Sequence, residues 1–472
     1  MQMSGSSPDG PSHGVAHVVV AAFLILKALI VVYNIATFPT TRQYDARHHA
    51  WRARSAGLEV DRMAYNSPLY YLPGLLWVDA SDYFEDGKPA KPPRGTARHD
   101  YETLEKIQWF NSVYVMGALL IWIYGILPLL ASSRRSWFLA SMALIAMPGF
   151  PKIAVMAHPD VLLLFLAALT FFLTIRWLPS RPHFGRNLLL ALLAGLTGAC
   201  RPFAVVPMLL CWALNLGMMV RDTRAELRAG ANQGPKIASL VVRAAAVSLI
   251  VVSLSGAWWV YRYEQSGTVM DAYNHKYVDP YQPLKEDFDY GHYYTSFYFG
   301  KLLQVPSRAD VPIGPGTNPK GNSFWTQLYS DFWGDHFLYF SGTKQGAERK
   351  LWAKRVLFVL ALPLSLLLWL GIVTGTFRAA VEAARRRAAL SPWLFMAAIF
   401  WGGFLIFVAW QGTAGLLPGK NSSIKFLYIA WAVPFGVGTA AAQPIPARAF
   451  APIAVLELLV AFAALPVSLN WP

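Results

Sequence analysis

Gln43-Tyr44-Asp45-Ala46-Arg47-His48-His49 crowds a carboxylate and two imidazoles just past the first apolar run of membrane length. Charged and aromatic side chains placed where a bilayer ends face water, lipid headgroups and whatever lies between the helices. A carboxylate there can take the proton from an acceptor hydroxyl as it attacks an anomeric carbon, which is what transfer from a phosphate-linked sugar needs of a general base. Asp45 could equally be a solvated acid paired with Arg42 or Arg47, and spacing alone does not separate the two. His48 and His49 could assist it, bind a divalent metal with it, or sit passively at the interface, because a His pair alone is weak evidence for a ligand set. The stretch runs on to Ser67-Pro68-Leu69-Tyr70-Tyr71, which adds aromatics, Tyr70 among them, to the same loop.

Other positions carry similar chemistry. In Ala157-His158-Pro159-Asp160, an acid sits between two apolar runs, where an uncompensated charge is expensive. Asp160 could orient a histidine or help hold a divalent ion; its plainer role is to N-cap the following helix. Arg201 interrupts an apolar segment, and a buried guanidinium needs an anion. A donor phosphate would serve, by bidentate hydrogen bonding, as would an internal partner such as Asp160. Lys420 and Lys425 could hold the same phosphate or snorkel to the interface. The segment 261–350 is dense in aromatics, including Trp333, and suits sugar stacking or an interfacial lid. Lys27 and Glu457, inside apolar runs, read as structural partners. No phosphate-binding loop, dinucleotide glycine pattern or strong Cys/His metal spacing occurs.

The elements that must position these residues are membrane helices. The chain has 472 residues, of which 55% are hydrophobic and 14% charged, with a mean hydropathy of +0.36. That is an all-α polytopic membrane protein. Runs of about 20 apolar residues fall near 15–37, 107–131, 136–156, 161–179, 188–200, 202–220, 237–260, 351–377, 393–411, 425–442 and 449–468, about eleven passes. Arg201-Pro202 splits one long run in two, because proline breaks the hydrogen-bond ladder. Arg and Lys concentrate around 134–135, 181–186, 221–236 and 378–387, which the positive-inside bias makes cytoplasmic. The net charge of +15 is therefore topology rather than a nucleic-acid footprint. The opposite face receives 38–106, His158, Arg201, 261–350 and 412–424.

This divides the chain into a tail and first helix (1–37), an outer loop (38–106), a membrane core (107–260), a second outer loop (261–350) and C-terminal helices (351–472). Residues 44–64 are expected to form an amphipathic helix on the membrane surface, and 79–100 an exposed excursion. The first residues lack the basic region of a secretory signal, so the first span is expected to stay as an anchor. Cys200 and Cys211 both lie in apolar segments, which argues against a disulfide framework. No internal repeat of the kind common in transporters is visible.

In the order and sidedness of these pieces the chain resembles the GT-C superfamily of polytopic glycosyltransferases, particularly its protein mannosyltransferase-like and aminoarabinose-transferase-like branches. The pieces are Tyr44-Asp45 with His48-His49, Ser67-Pro68-Leu69-Tyr70-Tyr71, His158-Pro159-Asp160, Gly195 through Arg201-Pro202, and Lys425-Phe426-Leu427-Tyr428 with Pro434. The resemblance implies a GT-C-like bundle and an inverting transfer from a polyprenyl-phosphate sugar to a lipid, glycan or protein acceptor on the extracytoplasmic face. Asp45 then holds the catalytic-aspartate position. The membrane would be the bacterial inner or plasma membrane, or the endoplasmic reticulum in a eukaryote. Asp45 is followed by Ala46 where the eukaryotic mannosyltransferases have a Glu. Asn66-Ser67-Pro68-Leu69 stands where the aminoarabinose transferases have Glu-Lys-Pro-Pro. The alternatives are an O-antigen-polymerase-like enzyme and a transporter or flippase of lipid-linked sugars.

Overall fold

A computed structural model describes residues 13–42, 49–50, 52–53, 68–76, 84–85, 88–89, 98–179, 183–266, 290–304, 323–334, 350–386, 391–413 and 425–470. Nearly all of these are helical. The exception is a two-residue hairpin, β1 (Phe84–Glu85) against β2 (Lys88–Pro89), inside the expected excursion. Among the described residues, eight helices are long and apolar enough to cross a membrane, and the protein is an all-α polytopic membrane protein.

The long helices are α1 (His13–Thr37), α2 (Arg98–Leu120), α5 (Pro159–Trp177), α7 (Val205–Arg228), α8 (Gln233–Ser266), α12 (Leu351–Arg386), α13 (Pro392–Thr413) and α16 (Ala447–Ser468). Helix α2 continues through a π-helical turn, Ile121–Ile126, into Leu127–Leu130. There Pro128 has no N–H for the carbonyl four residues back, and the ladder reopens one residue wider, from Leu127 N–H to the Trp122 carbonyl. Three of the expected passes fold as shorter pieces. The run 136–156 breaks at Met147-Pro148 into α3 (Arg134–Ala146) and α4 (Gly149–Ala154), and 425–442 becomes α14 (Lys425–Ile429) and α15 (Val433–Ala441). The third is α6 (Phe184–Cys200), shorter than a full span. Between α8 and α12 come the short helices α9 (Tyr290–Thr295), α10 (Phe299–Gln304) and α11 (Phe324–Trp333).

Cross-links between distant carbonyls and side chains assign each helix end to one of two ends of the bundle. At one end the α2–α3 turn meets the α15–α16 turn, through Ser132 Oγ to the Gln443 carbonyl (2.6 Å) and Ser136 Oγ to the same carbonyl (2.8 Å). Trp393 joins them through the Leu130 carbonyl (3.0 Å). Near the same level Arg221 bonds the Leu178 carbonyl (2.6 Å). At the other end Asn34 bonds the Ser468 carbonyl (2.7 Å), Lys350 the Leu469 carbonyl (2.7 Å) and Tyr294 the Val408 carbonyl (2.8 Å). Helices α6 and α7 form an antiparallel hairpin about Arg201, tied by Asn215 to the Asn187 carbonyl (2.9 Å).

One apolar core runs through the bundle, and a smaller cluster joins α6, α7 and α8. Helix α5 is the most enclosed of the long helices, whereas α8 is almost wholly peripheral. Val241, Val242, Leu249 and Val252 on α8 are all exposed; such a surface is stable against lipid and not against water. Gly195 and Gly198 let α6 lie close to α8: a Cβ at Gly195 would stand 2.9 Å from the Leu254 Cβ, and one at Gly198 3.0 Å from the Ser255 Cβ.

The Arg-rich loops and the chemistry-bearing residues fall at opposite ends. Single cysteines introduced as Ser133→Cys or Ala383→Cys, with Cys200 and Cys211 replaced, are expected to react with an impermeant maleimide only after permeabilisation. Thr41→Cys, at the other end, should react in intact cells. Labelling of Ser133→Cys from outside would invert the orientation.

Candidate functional site

Two of the site's residues owe their backbone to the proline that follows. A residue before proline is pushed out of the helical region, and His158 (φ −137°, ψ 135°) and Arg201 (φ −161°, ψ 157°) are both extended. Each proline then opens the next helical segment at a position that needs no N–H. The result is two helix junctions, before α5 and between α6 and α7, that turn a histidine and an arginine toward one another inside the bundle.

Asp160 joins them. Its Oδ2 lies 2.8 Å from His158 Nδ1 and 3.0 Å from Arg201 Nη1, with all three side chains buried. Arg201 Nη1 is also 2.9 Å from His158 Nε2. It is 3.3 Å from Nδ1 as well, so the guanidinium sits against the imidazole ring. His158 Nδ1 is also 3.4 Å from the Asp160 backbone nitrogen, the contact by which the imidazole caps α5. Burial, and then the Arg201 guanidinium, holds the His158 pKa well below the usual imidazole range. A neutral imidazole, one carboxylate and one guanidinium make a cluster with no net charge. The expected N-cap role of Asp160 is corrected: His158 occupies the cap and Asp160 sits inside the first turn of α5, because Pro159 takes the first helical position. Of the two anions the sequence offers Arg201, the internal partner Asp160 is in contact with it.

Aromatics wall the cluster. The Tyr428 ring meets His158 edge-on at 5.3 Å and lies under the Arg201 guanidinium at 5.2 Å, with Phe203 at 5.7 Å. His49 packs against His158 at 5.5 Å and its Nδ1 is 2.6 Å from the Tyr71 hydroxyl. Tyr70 donates to Asn111 Oδ1 (2.9 Å), and Asn111 in turn donates to the Met156 carbonyl (2.8 Å). Burial keeps the Tyr70 phenol well above its ordinary pKa, so it remains a donor. The outer loop is thereby hydrogen-bonded onto α2 and the turn before α5.

Of the sequence candidates, the structure brings together Asp160, Arg201, His158 and His49, with Tyr70 one hydrogen bond behind. Trp333 is elsewhere: it is buried, donates to Ser365 Oγ (2.9 Å), and lines an apolar cavity. Asp45, His48, Lys420 and the Lys425 side chain lie outside the described residues. Lys27 bonds the Met147 carbonyl (2.7 Å) and Glu457 is buried, the inward placement expected of both. Cys200 and Cys211 are free and buried. Where the surface helix was expected, His49, Ala50, Arg52 and Ala53 are all buried, so at these positions the loop is enclosed by protein rather than spread on the membrane. No group of three His, Cys, Asp or Glu among the described residues is placed to hold a metal.

The reading from residue types passed over Arg52, which sits among Trp51, Ala53 and Arg54 with nothing local to set it apart from the neighbouring arginine. It is fully buried, with its guanidinium 5.3 Å from the Tyr71 ring and 5.8 Å from that of Trp258, so it fastens the loop carrying His49 to α8. Lys152, buried on α4 and donating to the Gly334 carbonyl, was missed in the same way.

No family model matches the chain, and no curated protein matches it. Among solved structures it is similar to the archaeal oligosaccharyltransferase AglB from Archaeoglobus fulgidus, determined in complex with an inhibitory peptide and a dolichol-phosphate. The similarity covers 96% of this chain and 55% of that one at 12% identity, with a TM-score of 0.41. The chain thus spans about half the length of that protein, and its substrates have to be read from its own site.

Proposed function

We propose that the protein is a GT-C-type membrane glycosyltransferase that moves a sugar from a polyprenyl-phosphate donor to an extracytoplasmic acceptor. The observation carrying this reading is the buried His158–Asp160–Arg201 cluster, placed at the end of the bundle opposite the Arg-rich loops and packed against the loop that bears His49. Asp45 precedes His49 by four residues, and four residues reach at most about 14 Å when fully extended. A carboxylate able to act as general base is thus tethered near a fixed cation. In this reading Asp45 receives the acceptor's proton, and Arg201 shares its guanidinium between Asp160 and the donor phosphate. The Tyr428 and His49 rings bound the space where the sugar lies.

Donor binding separates a ligand role for Arg201 from a purely structural one. Arg201→Lys keeps a cation for Asp160 but loses the planar fork that suits a phosphate. It is expected to stay folded and to bind polyprenyl-phosphate sugar about tenfold or more weakly, since a charge-assisted bond is worth roughly 1.5–3 kcal/mol. Unchanged donor affinity in the folded variant would leave Arg201 structural. In proteoliposomes carrying radiolabelled donor, label should move onto an acceptor. Label that crosses the bilayer while still attached to its carrier would favour the flippase.

A further inference from the structure

A cavity of ≈370 Å³ lies between α11, α12, α13 and the α14–α15 break, walled by Trp325, Trp369, Phe400, Phe404 and Ile429. Its polar wall groups are already engaged with protein. Ser365 Oγ accepts from Trp333 and donates to the Ala361 carbonyl (2.8 Å), Tyr329 donates to the Phe358 carbonyl, and the Trp325 indole donates to the Tyr294 carbonyl (2.7 Å). Among the described residues, no charged one lines it. An occupant therefore meets hydrocarbon and ring faces, and a polar one would lose its hydrogen bonds on entering.

The mouth opens sideways. Leu366 and Phe297 line the cavity and yet are 62% and 41% exposed. Leu366 belongs to the outer row of α12 with Val359, Leu370 and Val373, all exposed, which is the row a spanning helix turns to lipid. At roughly 30 Å³ per methylene, close to the liquid volume of a water molecule, the space holds about twelve chain carbons.

We infer that this cavity takes an aliphatic chain of the acceptor, so that the acceptor is itself a lipid. The inference rests on the proposed donor site. Helix α14 is one short turn separating two compartments: Tyr428 faces His158 and Arg201, while the next residue, Ile429, faces the cavity. With the donor phosphate on the Arg201 side, the apolar space across α14 is left to the second substrate. A chain leaving the bilayer for the cavity gains little from the hydrophobic effect, because lipid tails are as apolar as the walls. What the rigid aromatic walls supply is selection by chain shape and a fixed depth for the headgroup beside the polar cluster.

The test uses the full chain in nanodiscs containing phosphatidylethanolamine with a diazirine at the end of a palmitoyl chain, with cross-links mapped by mass spectrometry. Cross-links are expected on Trp369, Phe400 or Ile429. They should fall about tenfold in Leu366→Trp, which plugs the mouth, and persist in Leu370→Trp, an exposed position on the same helix outside the cavity. Excess polyprenyl phosphate should leave them unchanged. Displacement by polyprenyl phosphate would overturn the proposal by giving the cavity to the donor. Absence of these cross-links, or equal labelling in Leu366→Trp, would overturn it too. These outcomes do not depend on transfer, whereas the donor affinity of Arg201→Lys judges the underlying reading.

Discussion

Asp160→Ala is expected to cost about 3–5 kcal/mol of stability, because removing one partner of a buried ion pair leaves the other charge without its counter-ion. Arg201 is only 1% exposed, so water cannot replace the carboxylate, and His158, a neutral ring, offers no charge in its place. Unfolding of purified protein followed by heat or by denaturant checks the number. The companion variant Asp160→Leu with Arg201→Met should recover most of the loss, since apolar replacement of both partners is often neutral. If Asp160→Ala were as stable as the parent, the 3.0 Å contact would be incidental, and the cluster would lose its claim to hold the helix junctions together.

Asp45→Asn is expected to lower transfer by about 10²–10⁴-fold, the usual contribution of a general base, while donor affinity stays near normal. The substitution keeps the side chain's size and its capacity to accept a hydrogen bond but removes its capacity to carry the proton away. Its effect should fall on turnover, because the lost interaction exists only in the transition state. His49, packed on His158, gives the loop a rigid base on that side, and Arg52 fastens it on another. Near-normal transfer by purified Asp45→Asn would reject the role and direct attention to Asp160 or Asp331, both buried, or to Asp335, which lies outside the described residues.

Membrane class and helix order were legible because the bilayer imposes one rule on every span: its backbone must be satisfied internally and its surface must be apolar. The prolines at 159 and 202 were legible for an equally local reason, since each dictates the conformation of its predecessor. Long-range partners were not. Asp160 was named as one possible partner of Arg201, but their 3.0 Å contact depends on how α5 settles against α6, and nothing in the residues flanking either one specifies that. Arg52 was invisible for the same reason: its partners, Tyr71 and Trp258, are brought to it by separate elements. Short pieces such as α4 and α14 were merged into longer spans because hydropathy averages over a window wider than they are.

The bond between Asn34 and the Ser468 carbonyl, with the Asn470 N–H returning to Asn34 Oδ1 (2.8 Å), joins residues separated by 434 positions. At typical rates of synthesis, about 5–20 residues per second, Asn34 waits on the order of 20–90 s in the bilayer before its partner is made. During that interval the first helix carries a polar amide into lipid with nothing permanent to bind, so it must stay near the insertion machinery or borrow a transient neighbour. The arrival of α16, rather than the packing of α1, is therefore the event that satisfies this amide. Biogenesis should accordingly be more sensitive to changes around Ser468 and Asn470 than their distance from the chemistry would imply.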